Sequence, residues 1–268
     1  MKSLSFALFA LSLAARAATA QTGSQSNLVL TIYGGVASGN GLWSIARQPL
    51  NVLCSTAGAC GIDTLRLSRE MSSGVIAGAG ASYFTNSHLG FTAEIFYLDI
   101  PLDDGCTGLF NPDAESRNLQ VCNNIASASL STSAIGFFGG AVLRASSTHA
   151  LSPYVRAGIG ILAYSTGTVE MSGDFVSGGT VQSRAVLIDP SPKTSAVTGL
   201  VAVGVTARLS PGYQFRFELR NLPVPLDRVT GAAPLTTLEP PKGTHAYNRI
   251  ALTVGLDVIL EKKRGRRY

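Results

Sequence analysis

The segment Tyr247–Leu260 alternates strictly between aliphatic positions and positions that are mostly polar or small. The aliphatic positions are Ile250, Leu252, Val254, Leu256, Val258 and Leu260. The intervening positions include Arg249, Thr253 and Asp257. A period of two residues predicts a β-strand with one apolar face. A strand of about ten residues or more with such a face is long enough to cross a bilayer at a tilt.

Seven earlier segments show the same alternation, so the sequence predicts eight strands. The predicted strands are Asn27–Ala37, Arg69–Phe84, His88–Ile100, Ser127–Ala145, Pro153–Met171, Ser195–Leu209, Tyr213–Leu222 and Tyr247–Leu260. Long connections, over residues 38–67, 101–126, 172–194 and 223–245, alternate with short turns. An even strand number with short periplasmic turns and longer outer loops is typical of outer-membrane barrels. We therefore predict an all-β fold, an eight-stranded antiparallel up-and-down transmembrane β-barrel over residues 21–260.

Composition agrees with this architecture. Charged residues make up 14% and hydrophobic residues 46% of the chain, whereas about a quarter of the residues in a soluble domain are charged. No apolar run reaches the ~18 residues that a membrane helix needs. A glycine-rich soluble β-sandwich is the alternative, but a sandwich gives no reason for long and short connections to alternate.

Both ends of the sequence carry export and charge features. Residues 1–20 combine Lys2, an apolar run and Ala18-Thr19-Ala20, the pattern of a cleaved signal peptide. Residues 261–268 form a basic tail, which we expect in the periplasm. The net charge is +5, of which +2 lies in residues 1–20 and +4 in residues 261–268, leaving −1 for the body. A nearly neutral body gives no electrostatic footprint for nucleic acid.

The inward face of the predicted barrel carries both signs of charge. The candidate lumen residues are Glu94, Arg144, Arg156, Arg208, Arg216, Glu218, Arg220, Arg249 and Asp257. Eight strands enclose a space that side chains just fill, so we favour an ion-pair network that plugs the lumen. A polar pore or a catalytic site is the competing interpretation. No cofactor is expected.

All four cysteines fall in the first two predicted outer loops. They are Cys54, Cys60, Cys106 and Cys122. An even number in an exported chain predicts disulfides, by proximity Cys54–Cys60 and Cys106–Cys122, although three pairings are possible. Zinc binding is the weaker interpretation because there is no C-x-x-C spacing and the histidines lie elsewhere.

The three histidines give no sign of a catalytic site. His88 and His149 occupy predicted short turns, and His245 lies at the outer rim. A catalytic histidine needs a nucleophile and an orienting acid within hydrogen-bond reach. The H-x-S pair of the barrel lipid A deacylases is absent. We therefore expect a protein that is not an enzyme.

Thr253-x-Gly255-x-x-Val258-x-Leu260 resembles the β-signal that ends many outer-membrane barrels. With the eight-strand pattern, the chain resembles the OmpA-like, OmpX-like and opacity-protein barrels. The resemblance implies a porin-like barrel fold in the outer membrane of a Gram-negative-type bacterium. It also implies contacts with outer-membrane lipid, recognition of the four signal residues by the barrel assembly machinery, and a role in envelope structure, adhesion or binding an extracellular ligand through the loops. A narrow porin and a barrel-rim lipid-modifying enzyme are the alternatives. The family usually ends on an aromatic residue that closes the last strand, and Tyr268 lies too far beyond it.

Overall fold

The structure is a computed structural model that describes residues 27–52, 61–110, 117–145, 150–210 and 212–261. The predicted signal peptide and the tail beyond residue 261 lie outside these ranges. The described residues form twelve β-strands and one helix. In chain order they are β1 Asn27–Ala37, β2 Asn40–Asn51, β3 Ile62–Met71, β4 Gly74–Phe84, β5 Leu89–Leu109, α1 Arg117–Ser127, β6 Ser129–Arg144, β7 Leu151–Tyr164, β8 Met171–Ser177, β9 Thr180–Leu187, β10 Ser195–Ser210, β11 Tyr213–Val229 and β12 Lys242–Glu261.

Eight of these strands form a closed barrel. Each pairs antiparallel with its neighbours in the order β1, β4, β5, β6, β7, β10, β11, β12. The ring closes between β1 and β12, in register from Asn27↔Glu261 to Ala37↔Ala251. The prediction of an eight-stranded antiparallel barrel is confirmed. We call the end with the short connections the turn end, and the end with the long connections the cap end.

The outer surface of the barrel is a band of apolar side chains. Ile32, Ile159 and Val197 are 63–65% exposed, and aliphatic or aromatic residues occupy alternate positions on all eight barrel strands. Closure pairs the backbone groups of every barrel strand on both sides, which the interior of a bilayer requires. The alternation seen in the sequence is therefore the alternation between the outside and the lumen.

Strand boundaries differ from the prediction mainly at the cap end. The predicted strand Arg69–Phe84 is two strands, because β3 and β4 lie one after the other along the long strand β5. Met71 pairs with Leu102, whereas Ile76 pairs with Leu98. The predicted loop 38–67 contains β2 and most of β3, and the loop 172–194 contains most of the β8–β9 hairpin. The predicted strand Pro153–Met171 ends at Tyr164.

The long connections fold into a structure that we call the cap, made of β2, β3, α1, β8 and β9. One apolar cluster joins the lumen to the cap. It begins at Leu98 and Leu200 in the barrel and continues to Leu65, Val121 and Leu187 in the cap, all buried. The cap end of the barrel is therefore covered by a packed core that the sequence-based prediction of loops did not include.

Inward-facing glycines make room for inward-facing aromatic rings. A Cβ added to Gly204 would lie 2.5 Å from the hydroxyl of Tyr154, and one added to Gly136 would lie 2.5 Å from the ring of Phe96. Such contacts are too close for any side chain larger than glycine. The glycine-rich strands thus supply volume for rings in a barrel too narrow for two side chains at the same height.

Candidate functional site: the closed lumen and the cap

The middle of the lumen holds a cluster of ion pairs centred on Glu218, which is 1% exposed. Arg156 and Arg220 donate to Glu218 Oε1 at 2.8 and 2.7 Å. The Tyr154 hydroxyl donates to Glu218 Oε2 at 2.7 Å. Arg156 also reaches Glu94 Oε2 at 2.9 Å, so one guanidinium joins two carboxylates across the barrel.

A second pair continues the cluster toward the turn end. Arg216 donates to Asp257 through Nε at 3.0 Å and Nη2 at 3.1 Å. Thr31 Oγ1 and Gln214 Nε2 donate to the same carboxylate at 2.7 and 2.8 Å. Because Arg216 Nη1 lies 4.0 Å from Glu218, the two groups of ion pairs are continuous.

Six predicted lumen residues thus come together, and we call them the lumen network. They are Glu94, Arg156, Arg216, Glu218, Arg220 and Asp257. Three carboxylates balance three guanidinium groups, as a region excluded from water requires. The cavity beside Glu94 and Arg156 measures about 10 Å³, roughly the space for one water molecule. The space left beside these two side chains is therefore small.

Apolar layers lie on both sides of the lumen network. Toward the turn end, Val29, Phe84, Val142 and Tyr154 form a small buried cluster. Toward the cap end lies the larger core that continues into the cap. The lumen network therefore lies between two groups of buried apolar side chains.

The structure corrects two other predicted members of the ion-pair network, Arg249 and Arg144. Arg249 is buried but donates to four carbonyl oxygens, those of Ser38, Ala37, Ser72 and Asp99, at 2.7–3.4 Å. It lies nearer the cap end than Glu218, so its inward position on β12 does not bring it to that carboxylate. Its guanidinium instead joins the ends of β1 and β3 to β5.

Arg144 and Arg208 lie near the turn end. The guanidinium of Arg144 packs on the ring of Phe84 at 3.6 Å, and its Nε donates to the carbonyl of Ser87 at 2.9 Å. Arg208 is exposed two residues before the end of β10. The prediction for Arg144 was wrong because alternation gives the face of a strand but not the neighbours that an inward side chain meets. Arg208 pairs with Gln214, whose side chain donates a hydrogen bond to Asp257.

The cap contains a buried ion pair that the sequence analysis missed. Arg69 on β3 forms two hydrogen bonds of 2.6 Å with Asp104 on β5, and both side chains are at most 2% exposed. Arg69 also donates to the carbonyl of Thr168 at 2.9 Å and lies 5.6 Å from the ring centre of Trp43. Three connections of the barrel are thereby joined at one guanidinium.

Helix α1 is fixed to the barrel and to the β8–β9 hairpin. The predicted disulfide Cys106–Cys122 is present and joins β5 to α1. The side-chain oxygens of Asn124 and Gln120 accept hydrogen bonds from the backbone N–H groups of Asp174 and Val176, at 3.0 and 2.9 Å. The helix therefore covers the outer edge of β8. The predicted Cys54–Cys60 bridge falls outside the described residues.

The remaining sequence candidates take simpler positions. A ring nitrogen of His88 lies 3.1 Å from the carbonyl of Arg144, the ring of His245 packs edge-on against Tyr247, and His149 falls outside the described residues. Of the proposed assembly signal, Thr253 and Gly255 face the lumen, whereas Val258 and Leu260 face outward. Among the described residues, no group of three or more His, Cys, Asp or Glu side chains is placed to hold a metal ion.

A closed, antiparallel eight-stranded barrel with an apolar outer band and charged residues facing its lumen is a transmembrane β-barrel. In the described part of the chain, no helix has the length and apolar character to cross a membrane.

Solved structures that are similar to this chain include two outer membrane proteins and one surface protein. The outer membrane protein OprG from Pseudomonas aeruginosa aligns at 10% identity and a TM-score of 0.48 over 90% of this chain and 99% of that one. The outer membrane protein AlkL aligns at 12% identity and a TM-score of 0.44 over 92% and 96%. Neisserial surface protein A aligns at 10% identity and a TM-score of 0.43 over 86% and 96%. No protein-family model matches the chain, and the search of curated proteins finds no match.

Proposed function

We propose that this chain is an integral outer-membrane protein whose barrel is sealed and whose cap serves surface interaction, adhesion or envelope structure. The carrying observation is the lumen network, in which three carboxylates and three guanidinium groups form continuous ion pairs inside the barrel. The apolar layers above and below it support the same conclusion. A sealed barrel anchors a surface structure without breaching the membrane.

The cap supports the second half of this proposal. It is tied to the barrel by the Cys106–Cys122 bridge, the Arg69–Asp104 pair and the carbonyl contacts of Arg249. Ligand contact is favoured by a surface that is ordered before binding, because less conformational entropy is then lost. A signal peptide at residues 1–20 and an assembly signal at Thr253–Leu260 would bring the barrel to the outer membrane with its cap outside.

Single-channel recording in planar bilayers tests the seal. The wild-type protein, shown to be folded by its heat-modifiable gel migration, is expected to give no steady conductance. A steady conductance of the size of a water-filled channel would refute the sealed lumen and favour a narrow porin. Recovery of the protein as a soluble periplasmic monomer would refute the membrane location.

A further inference from the structure

A polar groove opens at the cap end between β2 and the upper part of β12. Its volume is about 390 Å³. Its lining residues are Asn40, Gly41, Leu42, Arg228, His245, Ala246, Tyr247 and Asn248. The groove exists because β12 pairs with β1 only as far as Ala251 and continues beyond the end of β1. Two hydrogen bonds hold its walls together, from Asn40 to the carbonyl of Asn248 at 2.7 Å and from Tyr247 to the carbonyl of Leu42 at 2.5 Å.

The charges in the groove favour an anion. Arg228 is exposed, and its guanidinium has no hydrogen-bond or ion-pair partner among the described residues. The imidazole of His245 lines the same groove, and no carboxylate is among the lining residues. The neighbouring carboxylate of Asp227 lies 3.6 Å from Lys242, whose ammonium partly neutralises it. The groove thus presents one fixed positive charge without a counter-charge.

One end of the groove lies at the edge of the apolar band. On the outer surface of β12, Ile250 is the last apolar residue of the band, and Asn248 follows it toward the cap end. On β11 the band ends at Leu219, and Asn221 pairs with Ile250. The groove begins at Asn248, where the apolar band stops and a bilayer changes from hydrocarbon to headgroups. It extends from there toward the cap end as far as Arg228, which pairs with Gly243.

We propose that this groove binds the phosphate of a phosphorylated sugar, supplied by a lipid headgroup of the outer leaflet. A guanidinium forks onto two phosphate oxygens, and the side-chain and backbone groups of the lining offer hydrogen bonds to sugar hydroxyls. A volume of about 390 Å³ lies within the ~300–1,000 Å³ range of small-ligand sites. The proposal rests on the topology proposed above, with the cap outside the cell.

Native mass spectrometry of the folded, detergent-purified full chain tests the proposal. The probes are bisphosphorylated lipid A, the same lipid after phosphatase treatment, and soluble glucosamine 1-phosphate. Arg228→Gln is expected to weaken lipid A binding by about tenfold or more, as expected for one charged hydrogen bond. Arg66→Gln is the matched control, because Arg66 is also exposed but lies on β3 outside the groove. It is expected to bind like the wild type.

The outcomes separate the ligand sources and the two proposals. The phosphate site is supported if binding is lost after phosphatase treatment and in Arg228→Gln but not in Arg66→Gln. Stronger binding of lipid A than of glucosamine 1-phosphate then assigns the phosphate to the lipid. Equal binding of both phosphates, lost in Arg228→Gln, supports the phosphate site but overturns the lipid assignment. Equal binding by both variants, or by the dephosphorylated lipid, overturns the site. The conductance and gel migration of Arg228→Gln should match those of the wild type. Failure of the sealed-barrel proposal would therefore appear in the conductance of the wild type, and failure of the groove proposal in the lipid binding.

Discussion

Glu218→Gln is expected to destabilise the barrel strongly while changing almost no volume. Glu218 accepts charged hydrogen bonds from Arg156 and Arg220 and one from the Tyr154 hydroxyl, all at 2.7–2.8 Å. A neutral amide leaves both guanidinium groups with less counter-charge in a region excluded from water. Removing one partner of a buried pair costs about 3–5 kcal/mol.

The remaining contacts place the expected value in the lower part of that range. Arg156 keeps Glu94 at 2.9 Å, and Arg220 keeps the Tyr33 hydroxyl at 3.0 Å and Glu94 at 3.7 Å. We therefore expect a loss of about 3 kcal/mol in the free energy of unfolding. Combining Glu218→Gln with Arg220→Met should cost less than the sum of the two single changes, because the second change removes a cation that the first left unpaired.

Denaturant unfolding of the protein in lipid vesicles, followed by circular dichroism and by gel migration, measures this loss. Glu70→Gln is the matched control, since Glu70 is exposed on β3 and a surface change of this kind alters stability by about 0.5 kcal/mol or less. If Glu218→Gln cost no more than Glu70→Gln, the lumen network would not be a buried, mutually dependent set of charges.

Four further predictions concern other parts of the chain. Replacing Cys106 and Cys122 by serine opens a 16-residue loop and should destabilise the cap by about 3 kcal/mol. The fluorescence of Trp43, the chain's single tryptophan, should report this loss, while the gel migration of the barrel stays unchanged. Burial opposes the charge on Lys242, but the carboxylates beside it outweigh this effect and raise its pKa. The contribution of Lys242 to cap stability should therefore be complete below the ordinary pKa of lysine and fall as pH rises through the raised pKa. In Lys242→Met this contribution should be absent at every pH. Gly204→Ala should cost about 1–3 kcal/mol by overpacking, since its Cβ would meet the Tyr154 ring and the Phe217 carbonyl oxygen. An equal stability of variant and wild type, measured by denaturant unfolding, would show that both neighbours move without cost. Deleting Lys262–Tyr268 should leave membrane insertion intact, and periplasmic accumulation of the truncated chain would assign part of the assembly signal to the tail.

Alternation along the sequence was sufficient to predict the barrel, because it records which side chains face lipid. The predicted strand Asn27–Ala37 agrees with β1 at both ends. Alternation does not record the stagger between strands, and stagger decides which inward residues meet. Glu218 and Arg249 both face inward, yet Glu218 pairs with guanidinium groups, whereas Arg249 donates hydrogen bonds to backbone carbonyl oxygens.

The cap was missed because its signals are short and compete with loop signals. In α1 the buried residues Asn118, Val121, Cys122 and Ile125 follow helical spacing, but four positions are too few to separate a short helix from the loop that the sequence predicts around Cys122. In β2 the pairing with β3 shifts register twice, between Gly41 and Trp43 and between Ile45 and Gln48. A bulged strand loses strict alternation, so a pattern of period two does not detect it.

The contact between Gly204 and Tyr154 couples two positions on different strands. A side chain at residue 204 would need the space that the Tyr154 hydroxyl now fills, and loss of that hydroxyl would remove a donor to Glu218. Neither position can change alone without cost to the packing or to the ion pairs. In chains descended from a common ancestor, substitutions at residues 204 and 154 should therefore occur as a pair. A compensating change near Glu218 should accompany them. The narrow lumen thus links the evolutionary history of strands β7, β10 and β11.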